Sequence, residues 1–384
     1  MTRRIRPSIG ASLAALAMVS AACSDPAGGD ATLIRVAFFQ DLSVPDHVDL
    51  VSPSFLAFET VVQRRLDGAG ASVEIVQFDT AGDADAAIEM AREVADDATF
   101  VLAVAAPFWH EPAEVGRILA EAGVPTISLS PVSASPWLGS PDLPGEARQL
   151  WRRFVPDRSA EAGLLATLAA RGASTDRPVC LVQDGSAYGA GLIDLVHAAL
   201  DGQSSTRVDG ADPGGAASTI ATAGCSVVVW GGFPPGARDL ARSMREAGSA
   251  RGRPVDLAGD ALKTIVPPTS PQGDGVVVGS VACSCVDVAT DLELPSRRFL
   301  NLYQSEHGLA PGVYAAEGWD AGRLTADAVR DGATDRSRMR EAFTGLTEHE
   351  GVARSYVFDE DGELVGGEPG LYVAAGTRWL SLPV

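Results

Sequence analysis

The chain has 384 residues, 46% hydrophobic and 21% charged, enough for two or three globular domains at about 150 residues each. Thirty basic against 50 acidic side chains give a formal net charge of −20, which excludes the basic footprint of a nucleic-acid binder and a polybasic patch for anionic lipid. No run of 18 apolar residues occurs, so no ordinary transmembrane helix is expected. Lys263 is the only lysine; with the abundance of Ala, Gly and Asp, this reads as GC-rich coding.

Residues 1–22 read as a secretory signal. Arg3, Arg4 and Arg6 form a positive start, Ile9 to Ala22 is apolar and small, and small residues lead into Cys23. Val19-Ser20-Ala21-Ala22-Cys23 resembles a bacterial lipobox, with Ser20 where leucine is usual. The resemblance implies acylation of Cys23, which becomes the mature N-terminus. Loss of the three arginines takes the net charge from −20 to −23. Residues 23–32, rich in Gly and Asp, then form a flexible tether.

Strands and helices alternate through the body. Leu33–Gln40 is an apolar strand, Ser54–Leu66 a helix, Ser72–Phe78 a strand and Asp83–Ala95 a helix with an Asp start. Thr99–Ala105, Pro112–Ala122 and Pro125–Ser128 continue as strand, helix, strand. The pattern restarts with a helix over Ser159–Arg171, a strand over Pro178–Gln183 and a helix over Gly189–Leu200. Ser226–Gly231, Val255–Gly259 and Gly275–Ser284 are strands, with a helix at Ala237–Ala247. Ser296–Gly308, Tyr314–Arg330 and Ser337–Phe343 are helices, and a hairpin set closes the chain. Apolar strands of this length between helices indicate parallel βαβ units. The expected fold is α/β: two Rossmann-like lobes, each a parallel sheet flanked by helices.

Five cysteines are present, and an exported chain permits disulfides. Cys180 and Cys225 each sit in or beside a strand of one lobe and are the most plausible pair. Cys283 and Cys285 lie two apart on a strand, where a mutual bond would strain it. The alternative is buried free thiols packed as small hydrophobes.

Ligands of open α/β sheets bind beyond the carboxyl ends of the strands. Here those ends carry Asp41, Pro107-Phe108-Trp109-His110 and Ser130 to Ser135, then Asp184 to Tyr188, Gly232-Phe233 and Asp260. Aromatic walls with a few polar groups suit a small ligand.

Several stretches resemble the Leu/Ile/Val-type solute-binding proteins of ABC transporters, the type I periplasmic-binding fold. They include FLAFETVVQRRLDG from Phe55, GVPTISLSPVSASP from Gly123, FVPDRSAEAG from Phe154 and VQDGSAYGAGL from Val182. VVWGGF from Val228, LAGDA from Leu257, YAAEGWDA from Tyr314 and YVFDEDGEL from Tyr356 continue the series. The resemblance implies three crossings between lobes, near 152, 286 and 355. Lobe 1 is then 33–152 with 286–355, and lobe 2 is 153–285 with 356–384.

The resemblance also implies site residues. Tyr188 matches the cleft tyrosine, Phe233 the aromatic after a Gly-Gly pair, and Asp260 the acid that meets a ligand ammonium. The hydroxyl that holds a ligand carboxylate falls at Ala134, unless a one-residue slip puts Ser133 or Ser135 there. Phe108 and Trp109 stand where a small serine is expected and offer ring faces. Glu317 and Asp320 lie near a crossing and suit the hinge. The ligand class implied is small, with an amine or amide group and an aromatic or apolar body.

An enzyme is not expected. None of His47, His110, His197, His307 or His349 sits in an HExxH, and no GxSxG elbow, Walker A loop or GxGxxG after a strand appears. No zinc-like Cys/His spacing occurs. The partners expected are a small ligand and a transporter permease. The membrane is met through the lipid anchor alone, nucleic acid is not a partner, and the chain is a monomer without cofactor or metal. The alternative is a sensor domain of the same fold feeding a signalling partner.

Overall fold

The computed structural model describes residues 33–44, 48–107, 113–131, 145–174, 176–248, 254–264, 275–283, 294–376 and 378–382. The chain opens with β1 (Leu33–Gln40), α1 (Val48–Leu66), β2 (Ser72–Asp79), α2 (Ala84–Asp96), β3 (Phe100–Ala105), α3 (Ala113–Glu121), β4 (Thr126–Ser128), α4 (Gly145–Arg148) and β5 (Trp151–Arg153). Five parallel strands lie in the order β2-β1-β3-β4-β5. β3 is buried along its whole length, as a parallel strand covered on both faces must be, and its sequence FVLAVA is accordingly apolar throughout.

The chain continues with α5 (Arg158–Gly172), β6 (Val179–Gln183), α6 (Ala187–Ala199), β7 (Ser205–Asp209), α7 (Pro213–Ala223), β8 (Val227–Gly231), α8 (Pro234–Glu246), β9 (Leu257–Ala258), a 3-10 turn at Asp260–Thr264 and β10 (Val277–Ser280). Then come α9 (Leu294–His307), α10 (Ala315–Arg330), α11 (Arg336–Thr344), β11 (Glu348–Glu350), β12 (Ser355–Val357), β13 (Gly370–Ala375) and β14 (Arg378–Leu382). The second sheet has the order β14-β13-β10-β9-β8-β6-β7. It is parallel from β10 to β7, and β13 and β14 add an antiparallel edge.

Sheet membership shows three changes of lobe. After β5 the chain enters the second sheet, against which α5 packs. After β10 it returns, and α10 packs on α1 while α11 packs on β3. After α11 it goes back to supply β13 and β14. The α1–α10 contact is close because α10 carries glycine at successive turns. A Cβ at Gly318 would sit 2.3 Å from the Ser54 carbonyl oxygen, and one at Gly322 would sit 2.8 Å from that of Phe58. The two helix backbones touch through these positions.

Each lobe has a local core. In the first, Phe38 meets Phe55 and Phe58 edge-on at 5.2 and 5.6 Å, favourable ring geometry beyond the area buried. In the second, Trp230, Val182, Val208 and Leu240 are buried together. There Cys180 of β6 and Cys225 are joined by a disulfide, and Cys283 is disulfide-bonded as well, so the free-thiol alternative does not hold for these three. Among the described residues, no helix is long and apolar enough to cross a membrane. α4, β5, β7, α7 and β11 are elements that the sequence pattern did not single out.

Candidate functional site

The turns after β6, β8 and β9 meet at one end of the second sheet. Ser186 caps α6, its hydroxyl accepting from the Gly189 amide at 2.9 Å, which places Tyr188 in the first turn. Gly189 lets that turn approach β8, since a Cβ there would lie 2.5 Å from the Gly231 carbonyl oxygen. Asp184 then ties two turns together. One of its oxygens accepts from the Ser186 amide at 3.0 Å, the other from the Phe233 amide at 2.7 Å. Consequently the Tyr188 and Phe233 rings face each other, centroids 5.2 Å apart.

Asp260 follows β9 and is fully buried. The Tyr188 hydroxyl donates to its Oδ1 at 2.9 Å. The Tyr314 hydroxyl donates to its Oδ2. Tyr314 precedes α10 on the first lobe, with φ of 61°, a left-handed conformation that costs a non-glycine residue about 1–2 kcal/mol. Through this bond Asp260 links the two lobes. Its own amide donates to Glu161 Oε1 at 2.8 Å, and the Ala261 amide donates to the Tyr188 oxygen at 3.2 Å.

Beneath this group lies the start of α5. Asp157 caps the helix, accepting from the Ser159 amide. Arg158 and Glu161, three residues apart, share the helix's buried face with Ala162, Leu165, Ala166 and Ala169. The Arg158 guanidinium stacks 4.3 Å from the Tyr188 ring centroid, and its Nη1 donates to the Tyr188 carbonyl at 3.2 Å. Lys263 is also buried, its ammonium 3.8 Å from the Tyr372 ring centroid.

Burial pushes the Asp260 carboxyl up, against the opposing pull of the Tyr314 hydroxyl, Arg158, the Tyr188 hydroxyl and Lys263. Glu161 is pushed well above the usual range, by burial first and by Asp260 second. Burial likewise raises both tyrosine hydroxyls well above their ordinary value, so they stay protonated and donate.

A second set of contacts runs along one face of α10. Glu317 Oε1 accepts from the Cys283 amide at 2.6 Å and from Arg354 Nη2 at 3.0 Å. One turn on, Asp320 accepts from the Val352 amide at 2.6 Å, the Ala353 amide at 2.7 Å and the Tyr356 hydroxyl at 3.0 Å. Burial lifts Asp320 to about 7 despite these donors. One helix face therefore holds both the chain just after β10 and the segment between β11 and β12.

Of the residues expected at the site, Tyr188, Phe233 and Asp260 are brought together. Phe108, Trp109, Ser133, Ala134 and Ser135 lie outside the described residues, as does Cys23. Asp41 instead organises a turn, accepting from the Thr80 hydroxyl and the Gly82 amide. Sequence reasoning missed Tyr314, Arg158 and Glu161. Among the described residues, no group of three or more His, Cys, Asp or Glu side chains could hold a metal ion.

Two α/β lobes, each a helix-flanked sheet with parallel strands, and a chain that passes between them three times define the type I periplasmic-binding fold. A family model described as periplasmic binding protein matches residues 34–374, and the chain belongs to that family. It is 25% identical over 321 residues, 77% of this chain and 83% of the relative, to the Leu/Ile/Val-binding protein homolog 3 of Brucella melitensis biotype 1. Solved structures share the fold. An ABC transporter substrate-binding protein from Desulfitobacterium hafniense in complex with Leu has a TM-score of 0.65 at 20% identity, covering 92% of this chain and 100% of that one. A solute binding protein from R. palustris in complex with benzoate has a TM-score of 0.71 at 15% identity, covering 91% and 95%. These relatives are binding proteins, not enzymes.

Proposed function

We propose that the protein captures a small amino-acid-like or amide/aromatic ligand in the cleft between its lobes and delivers it to an ABC transporter permease. It works at the outer face of the cell membrane, held there by acylation at Cys23. The lobes are 33–152 with 286–355 and 153–285 with 356–384. The observation that carries the reading is the meeting of Tyr188, Phe233 and Asp260 of one lobe with Tyr314 of the other. A ligand that enters there touches both lobes and favours their closure.

Purified, lipid-free protein should retain a small molecule detectable by mass spectrometry after denaturation. Adding that compound at 100 times Kd should stabilise the fold by about 2.7 kcal/mol, raising the melting temperature. Turnover of the compound would refute a pure binding role. The anchor is tested separately. Cys23→Ala should move the protein from the membrane fraction to the soluble exported fraction, and wild-type protein already free in that fraction would disprove acylation.

A further inference from the structure

Two buried polar groups beneath the site lack the partners that buried groups require. Arg158 is 4% exposed and Glu161 is fully buried. Arg158 spends Nη1 on the Tyr188 carbonyl and its face on the Tyr188 ring, yet Nε and Nη2 have no hydrogen-bond partner among the described residues. Glu161 Oε1 accepts from the Asp260 amide, while Oε2 has no partner among them either. Nor do Arg158 and Glu161, both described, form a salt bridge with each other. A buried charged donor left unmade is costly. The two atoms concerned form one edge of the guanidinium, whose N–H bonds point in parallel and match the two oxygens of a carboxylate.

We propose that the Nε–Nη2 edge of Arg158 receives the carboxylate of a small organic acid with an apolar or aromatic body, and that this ligand needs no ammonium group. This deepens the solute-capture reading and rests on it. Three further observations agree. Asp260, where an ammonium would be met, already gives one oxygen to each of two tyrosine hydroxyls. Arg158 and Lys263 supply positive charge to the same cluster, so the site does not depend on the ligand for a cation. Burial and Asp260 push Glu161 up against the pull of Arg158, and its Oε2 makes no hydrogen bond to the Nε–Nη2 edge, which is left open to another carboxylate. The Tyr188 and Phe233 rings, 5.2 Å apart, supply the wall for the ligand's body. Parting of the lobes withdraws Tyr314, which closes the cluster from the first lobe.

Matched compounds test this on the intact protein by calorimetry. The acids are benzoate, 3-phenylpropanoate and 4-methylpentanoate, each set beside its amide. The last two are also set beside their α-amino counterparts, phenylalanine and leucine. An acid should bind about tenfold or more tighter than its amide, because the hydrogen bonds to a charged group are lost, and no weaker than its α-amino counterpart. Arg158→Gln should weaken the acid by about 30-fold or more, and Arg158→Lys should not restore it, since an ammonium offers no parallel pair of donors. An amide equal to its acid, an amino acid tighter than its acid, or an unchanged affinity in a folded Arg158→Gln protein would each overturn the proposal while leaving solute capture intact. The acid-to-amide comparison needs no variant, so it decides the matter even where Arg158→Gln fails to fold. Failure of every compound, together with no retained molecule in the native protein, would count against solute capture itself.

Discussion

Asp320→Ala is expected to lower the unfolding free energy by roughly 3–5 kcal/mol, a loss at the upper end for a single substitution. The carboxyl accepts three hydrogen bonds in a fully buried position, from the Val352 and Ala353 amides and the Tyr356 hydroxyl. Alanine leaves all three donors buried without an acceptor, and it leaves a cavity beside the Tyr356 ring. Because the donors belong to the segment that returns from α11 toward the second sheet, the loss falls on the third lobe change. Chemical denaturation of the variant measures the effect. An unfolding free energy within about 0.5 kcal/mol of wild type, the usual range for surface substitutions, would show that Asp320 does not hold this segment. Asp320→Asn keeps one acceptor oxygen and should fall between the two.

The second large effect is a dependence on pH with an unusual sign. Asp320 is lifted to about 7 from an ordinary value of 3.8, and Glu161 and Asp260 are raised as well. Between these limits the folded state binds more protons than the unfolded chain. Stability therefore falls as the pH rises through the window from about 4 to 7, and it is fully recovered below the unfolded value. At about 1.4 kcal/mol per unit, Asp320 alone contributes roughly 4 kcal/mol across the window. Asp79 and Glu114 are held below their ordinary values by hydrogen bonds, to Ser43 and to Arg117 respectively. They act in the opposite direction below about pH 4, where they protonate, and His349, which burial holds below its ordinary 6.5, opposes the trend as the pH falls through that value; one such group is set against three raised carboxyls. The protein should accordingly be more stable at pH 5 than at pH 8, and Asp320→Asn should flatten that difference. A profile that rises with pH over this range would contradict it.

The fold was legible because its strands are buried on both faces. β1, β3, β6 and β8 are runs of apolar residues between polar turns, a pattern few other arrangements produce. β7 was not legible. Its sequence STRVD is mostly polar because it is the edge of the second sheet, with one face and one side open to water. α7 was hidden for a different reason: it buries only Ala216, Ala217 and Ile220, so it shows almost no apolar stripe. At the site, the rule that ligands sit beyond strand ends brought Tyr188, Phe233 and Asp260 into view. It could not reveal that Asp260 is shared by two tyrosines, since Tyr314 lies 54 residues further on and arrives through a lobe change. Arg158 and Glu161 sit in the first turn of a helix, where charged residues are normally solvated. Only the packing of α5 against the second sheet turns them inward.

The contact between α1 and α10 also governs when the first lobe can become stable. Ser54 and Phe58 wait for Gly318 and Gly322, some 264 residues away. At about 5–20 residues per second, the chain is extended for roughly 13–50 s between the appearance of the one helix and that of the other. Throughout that interval one face of α1 has no native partner, and strands β2 to β5 are added beside β1 as the chain grows to residue 153. A polypeptide in this condition is exposed to misassembly and is kept from folding early. The same glycines that bring two helices into contact in the finished molecule thus postpone its completion until nearly all of the chain has been made.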